Sequence, residues 1–109
     1  MIKIFDYLQS NGINVYFQAQ YVGEAKNEIV VLRDAGTIGN KFTGKVVIDV
    51  MIYVPIKDIT KLYDYKKKIK NILKEYKNAN YTGDETSIIA DDEKKAYTCS
   101  LSYELYKRS

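Results

Sequence analysis

The side chains that could do chemistry in this chain are few and poorly matched to one another. There is no histidine among the 109 residues. That removes the usual general base, the usual transition-metal ligand and every Ser–His or Cys–His pairing. Gly39 to Val46, GNKFTGKV, comes within one position of the phosphate-loop pattern G-x-x-x-x-G-K-[ST]. Val46 stands where a hydroxyl would reach Mg²⁺, and the segment leads into a strand where the pattern needs a helix. Asp84, Glu85, Asp91, Asp92 and Glu93 lack the alternating spacing and closing glutamate of a calcium loop, so solvated hairpin turns are expected. Cys99, the only cysteine, falls with Leu101 and Leu105 on an apolar strand face and reads as an inert buried thiol. These residues point away from an enzyme, and no cofactor or metal is expected.

What remains is surface chemistry. Lys61, Lys66, Lys67, Lys68, Lys70, Lys74 and Lys77 face Asp64 and Glu75 along one helical stretch. At about 100° per residue, Lys67, Lys70 and Lys74 share one ridge away from the apolar stripe. Such a ridge is either a solvated face or a surface that attracts a polyanion such as DNA. Apart from Tyr63 no aromatic is interleaved as a stacking platform. The net charge of +3 is mild. Ala35 to Gly44 holds Gly36, Gly39 and Gly44 together with two apolar side chains, Ile38 and Phe42. These are either anchors for a neighbouring chain or residues folded back onto their own sheet.

The element that positions these surfaces is Lys45 to Val54, KVVIDVMIYV. Its even residues Val46, Ile48, Val50, Ile52 and Val54 are all β-branched and apolar, so they form one core-facing side of a long strand. Its odd residues include Val47, Asp49, Met51 and Tyr53, a face that is neither clean core nor clean solvent surface. Asp49 there is either a charge placed against sheet-edge aggregation or half of an intersubunit ion pair. Pro55 ends the strand. Asp58 caps the following helix, whose stripe is Ile59, Leu62, Tyr65, Ile69, Ile72, Leu73 and Tyr76, and which stops near Asn78.

Before the long strand, Ile2 to Ser10 predicts a short helix stopped by Asn11-Gly12. Ile13 to Gln20 alternates as a half-buried strand, Tyr21 to Asn27 reads as a loop, and Glu28 to Arg33 as a buried strand. After the helix, Tyr81 to Glu85 reads as a turn, Thr86 to Ala90 as a short strand, Asp91 to Lys95 as a polar turn and Ala96 to Tyr106 as the last strand. The predicted order is α-β-β-β-α-β-β. It implies an α+β two-layer sandwich with a mostly antiparallel sheet, one long helix and one short one.

The length gives one domain, residues 1–109. No apolar run approaches a membrane span, and the start, MIKIFDYLQS, does not read as a secretory signal. With one cysteine no disulfide forms within the chain, as expected of an intracellular product. Tyrosine is used eleven times against three phenylalanines, and tyrosine suits half-buried or partner-facing surfaces.

Taken in order, the chain resembles the tail terminator (tail-completion, head–tail joining) proteins of tailed bacteriophages, phage-like particles and tail-type bacteriocins. The resemblance spans nearly the whole length. It rests on the N-terminal helix leading to GINVY (Gly12 to Tyr16), then EIVVL (Glu28 to Leu32), a glycine loop and GKVVIDV (Gly44 to Val50). A single long helix, a short strand, an acidic turn and YTCSLSYE (Tyr97 to Glu104) complete it. These are patterns of order and hydrophobicity, not chemical motifs, and other phage neck and minor structural proteins share them.

The resemblance implies a structural virion protein that forms a ring, commonly hexameric, on the end of the tail tube. Its partners would be further copies of itself, the tail tube protein and the head connector, with DNA only passing through. It would sit in the tail of a virion or phage-like particle assembled in the bacterial host cytoplasm. Ring contacts are heterologous, joining one patch to a different patch on the next copy. Candidate interface residues are Ile38, Phe42, Val47, Asp49, Met51 and Tyr53, with Lys67, Lys70 and Lys74 as a ridge that could face DNA. The alternative is a small basic nucleic-acid-binding module.

Overall fold

The computed structural model describes residues 2–38 and 45–106. The chain is an α+β fold with two helices and a mixed six-stranded sheet. The elements run α1 (Ile2–Ser10), β1 (Val15–Phe17), β2 (Ile29–Ile38), β3 (Lys45–Pro55), α2 (Thr60–Lys74), β4 (Ala79–Glu85), β5 (Ile89–Asp91) and β6 (Ala96–Tyr106). The sheet order is β1-β2-β3-β6-β4, with β5 also on β6. Among the described residues only the β1–β2 pair is parallel.

The long strand is central, as its apolar even face requires. It pairs with β2 on one side and along its whole length with β6 on the other. Ile48, Val50, Ile52 and Val54 are fully buried, together with Leu62, Ile69 and Leu73 of α2 and Ile4 and Leu8 of α1. The helices therefore cover the even face and leave the odd face outside that core. β6 supplies Cys99, Leu101, Tyr103 and Leu105 to the same layer.

The end of α1 and the start of α2 follow their sequence signals, whereas α2 stops at Lys74, short of the expected Asn78, with the Glu75 N–H bonded to Ile72 and Leu73 C=O. Gly12 takes φ +80, a left-handed conformation that suits glycine. It lets Ile13 N–H donate to Leu8 C=O at 3.1 Å and Gly12 N–H to Gln9 C=O at 3.0 Å, closing α1 with a Schellman turn. Asp58 Oδ1 accepts the Thr60 N–H at 2.9 Å and the Thr60 hydroxyl at 2.8 Å, so it caps the start of α2. Those two bonds hold the Asp58 carboxyl below its usual value. Ile59, expected on the apolar stripe, is 41% exposed because it precedes the first helical turn.

Four strands differ from the sequence reading. β1 stops at Phe17 because Ala19 takes φ +70. There Gln20 folds back, its Oε1 accepting the Phe17 N–H at 2.7 Å while its own N–H donates to Phe17 C=O at 3.0 Å. β2 runs on through Asp34 to Ile38, a stretch expected to belong to the glycine loop. A bulge absorbs Ala35, with Gly36 at φ +116 and its N–H bonded to Asp34 Oδ1 at 2.8 Å. Tyr81 to Glu85, expected as a turn, belongs to edge strand β4, which is interrupted between Tyr81 and Glu85 with Gly83 at φ +90. Finally, β5 covers Ile89–Asp91 and not Thr86 to Ala90. The observed order thus holds one strand more than predicted.

Candidate functional site

The open face of the sheet is where the odd residues of β3 meet their neighbours. Arg33 of β2 lies directly opposite Asp49. Its Nε donates to Asp49 Oδ2 at 3.0 Å, and a second guanidinium nitrogen makes a close contact with the same oxygen. Asp49 therefore has a partner within its own chain. Cross-strand partners in register meet before any outside group can. Val47 sits opposite Glu104 and Met51 opposite Ser100, and both Val47 and Met51 are half-buried. Lys45 reaches Glu104 at 3.4 Å across the same pair of strands.

Tyr53 also departs from expectation. It is only 8% exposed and packs in a second small core with Ala25, Ile29, Val31 and Ala96. The physical reason is the parallel β1–β2 pair. Parallel neighbours need a connection that travels back across the sheet. Here residues 18–28 make that return on the open face, pinned where Ala25 N–H donates to Lys94 C=O at 2.8 Å. The Lys94 ammonium sits 5.2 Å from the Tyr53 ring centre. Tyr53 is covered by its own chain and offers no surface to a partner. On the open strip Val47 and Met51 flank the Arg33–Asp49 pair, with Glu104, Ser102 and Ser100 opposite them on β6.

That strip continues into a shallow groove of about 350 Å³ whose lining includes Met51, Ile89, Thr98 and Ser100. Ile89 is 62% exposed. A second hollow beside it, sharing Thr86 and Ser100, brings in Asp49, Asp84 and Glu85. Thr86 N–H donates to Ser100 C=O at 3.0 Å and Ser100 N–H to Thr86 Oγ1 at 2.8 Å, which fixes the wall between the two. The sequence does not single out Ile89 as a surface residue, because Ile88 and Ile89 are adjacent and a segment this short does not say which of the two faces the core. Its exposure follows from its place on an edge strand, opposite Thr98 on the open face.

On the helix side, the lysine ridge is divided. Lys67 and Lys74 are exposed, but Lys70 is committed to the protein. Its Nζ lies 2.8 Å from Glu85 Oε2 and 4.9 Å from the Tyr81 ring centre. Lys66 Nζ donates to Glu85 Oε1 at 2.8 Å, and the Tyr81 hydroxyl also bonds this carboxylate. Lys70 is thus removed from the proposed polyanion-facing ridge, since a lysine holding a carboxylate has little charge left to offer a phosphate. The sequence contained the signal only in part. Lys66 and Lys70 are one turn apart, but their partner lies 15 or more positions on, in a segment that read as a turn.

These bonds hold the Glu85 carboxyl at about 2 against an ordinary 4.5, chiefly through Lys66, then Lys70 and Tyr81. A carboxyl depressed in the folded chain stabilises it above the ordinary pKa, and the contribution is lost as pH falls from about 4.5 toward 2. The side chain is 28% exposed, so solvent screening reduces the effect to about 1–2 kcal/mol. Glu85→Gln is expected to lower the thermal midpoint at pH 7 and to flatten the acid limb of the stability profile. Identical midpoints for the two chains at pH 7 would contradict this clamp.

Cys99 is buried, and burial raises its thiol above the usual value, as an inert core cysteine requires. Among the described residues no group of three or more Cys, Asp and Glu side chains could hold a metal ion. No described helix is long and apolar enough to cross a membrane. Ile38 closes β2 opposite Lys45, while Phe42 lies outside the described residues.

Compared with protein-family models and with curated proteins, the chain matches none.

Proposed function

We propose that this chain is a ring-forming structural protein that caps a tail tube, ends its polymerisation and presents the head–tail joining surface. The observation that carries the reading is the one-sided sheet. Both helices lie on one face, while the other keeps the half-buried Val47 and Met51 on either side of the Arg33–Asp49 pair, and the exposed Ile89. At one end, beyond Leu32, β2 leaves β1 behind and continues paired to β3 alone. The open sheet face and the free edge of β2 beyond Leu32 are unlike surfaces, as a heterologous ring contact needs. The resemblance to tail terminator proteins gives this contact its setting, with tube protein and connector as further partners.

The reading is tested by co-assembly with the tube protein of the same particle. Added in increasing amounts, the chain is expected to shorten the tubes and to appear at one end of each. Tube lengths that do not respond would overturn it.

A DNA-binding module fits the surface less well, because Glu85 holds both Lys66 and Lys70. The exposed Lys67 and Lys74 would give weak attraction that falls steeply with salt. Little retention of the chain on duplex DNA is expected at about 150 mM salt. Tight, salt-resistant retention would favour the module instead.

A further inference from the structure

We propose that the hollow between α2 and β4 takes a large apolar side chain from an acidic, extended segment of a partner protein, which adds as a strand to the outer edge of β4. The site lies on the helix side of the sheet, away from the open face, and does not depend on the ring reading. Its volume is about 340 Å³. Leu73, Ala79 and Tyr103, all buried, form its floor. Tyr81, which is exposed, makes one wall, its ring tilted against Tyr103 with centres 5.3 Å apart. Lys70 and Lys74 of α2 form the rim. An apolar floor under a charged rim is the setting in which a single leucine, tyrosine or phenylalanine anchors a partner.

The charge around the hollow selects an anion. Its lining contains two lysines and no carboxylate. Lys70 holds Glu85, but Lys66 holds the same carboxylate, so that group keeps a net positive charge. Lys74 is exposed and makes no ion pair among the described residues. Lys67 and Lys77, both exposed, add to the field, and the exposed Glu75 subtracts from it. Asp84 lines a hollow on the open face, and Glu104 is held by Lys45. A partner bearing carboxylates is therefore attracted and a cationic one repelled.

The edge decides between a peptide and other anions. β4 is the last strand in the sheet order, so among the described residues no strand lies on its outer side. A strand that ends a sheet turns alternate N–H and C=O groups outward, a template for an extended chain. The hollow opens along Ala79, Asn80 and Tyr81, where β4 keeps regular register with β6 before the break between Tyr81 and Glu85. A peptide added there turns every second side chain toward α2, at a spacing of about 6–7 Å. One such side chain enters the hollow, and acidic neighbours come beside Lys74 and Lys70. A nucleic acid has phosphates and flat rings but no peptide backbone to pair with the edge.

The test titrates capped hexapeptides into the whole chain and follows its amide and methyl NMR signals. Each peptide carries Asp and Glu around a single central Phe, Tyr or Leu. Half-saturation at about 1 mM or below is expected for the best of them, with shifts centred on Leu73, Ala79, Asn80 and Tyr81. Exchanging the acids for lysines, or the central residue for alanine, is expected to weaken binding by about 10-fold or more. Lys74→Glu changes an exposed residue, so the fold is expected to persist by circular dichroism. K74E is expected to weaken the acidic peptides by about 10-fold and to let the lysine peptides bind. Methylating alternate backbone nitrogens of the peptide is expected to abolish binding for one alternation and spare the other, because only every second N–H points at the edge. Equal binding of both methylated forms would overturn the strand addition, and unchanged affinity in K74E would overturn the charge selection. No shift at Ala79 to Tyr81 with any acidic peptide at about 5 mM would overturn the site. Shifts there from a thymidine oligonucleotide and none from the peptides would also overturn it and assign the hollow to nucleic acid.

Discussion

Ile52→Asp is expected to leave no folded protein at 25 °C, measured by circular dichroism and urea titration. Ile52 is fully buried in the layer between β3 and α2, on the central strand of the sheet. Truncating such a side chain costs about 2–5 kcal/mol through lost burial and the cavity left behind. A carboxylate there adds several kcal/mol more, because the site is apolar and offers it no partner. The sum matches or exceeds the roughly 5–15 kcal/mol that holds a small domain together. A cooperative unfolding transition within about 2 kcal/mol of the original would show that the even face of β3 is not the core.

The same substitution one residue earlier is expected to do something different. Met51 points to the opposite face, half-buried, where it touches the small core around Tyr53 at its edge. Met51→Asp loses only part of a side chain's burial and places its charge near solvent, so a stability loss of about 1 kcal/mol is expected. Its large effect is on association. A carboxylate there would break the half-buried apolar surface that the proposed ring contact needs. Assembly is expected to weaken at least 100-fold in sedimentation velocity, equivalent to about 2.8 kcal/mol, while the chain stays folded. Equal assembly of M51D and the original chain would remove the open face from the interface.

This pair also shows what the sequence allowed one to read. Period-two alternation along KVVIDVMIYV was enough to assign Ile52 to the core and Met51 to another face, because β-branched residues at every even position leave no second register. α2 was legible for the same kind of reason, its apolar spacing and its Asp58 cap being local. Ala96 to Tyr106 likewise matched residue for residue. Where the reading failed, the deciding contacts were distant in sequence. Tyr81 to Glu85 looks like a turn, with Gly83 and Asp84. It is held as a strand by pairing to β6 and by Thr82 Oγ1 donating to Ser102 C=O at 3.1 Å. Tyr53 looked free because nothing local to it reveals that residues 18–28 cross back over its ring. Asp49 and Lys70 looked available because Arg33 and Glu85 become their partners only once the strands are in register.

The two surfaces the proposed ring needs were half-visible for the same reason. Met51 could be placed by alternation, and the apolar loop by composition. Ile89 could not, since its exposure depends on lying at the sheet edge. These placements narrow the proposed interface: Asp49 is paired to Arg33 and Tyr53 is buried, while Ile89, Val47 and Met51 stay open.

Native mass spectrometry of the chain, alone and after incubation with tail tubes, tests the central claim most directly. A closed oligomer of a single stoichiometry is the predicted result, formed either in solution or only when tube ends are present. Monomers alone under both conditions would contradict the ring.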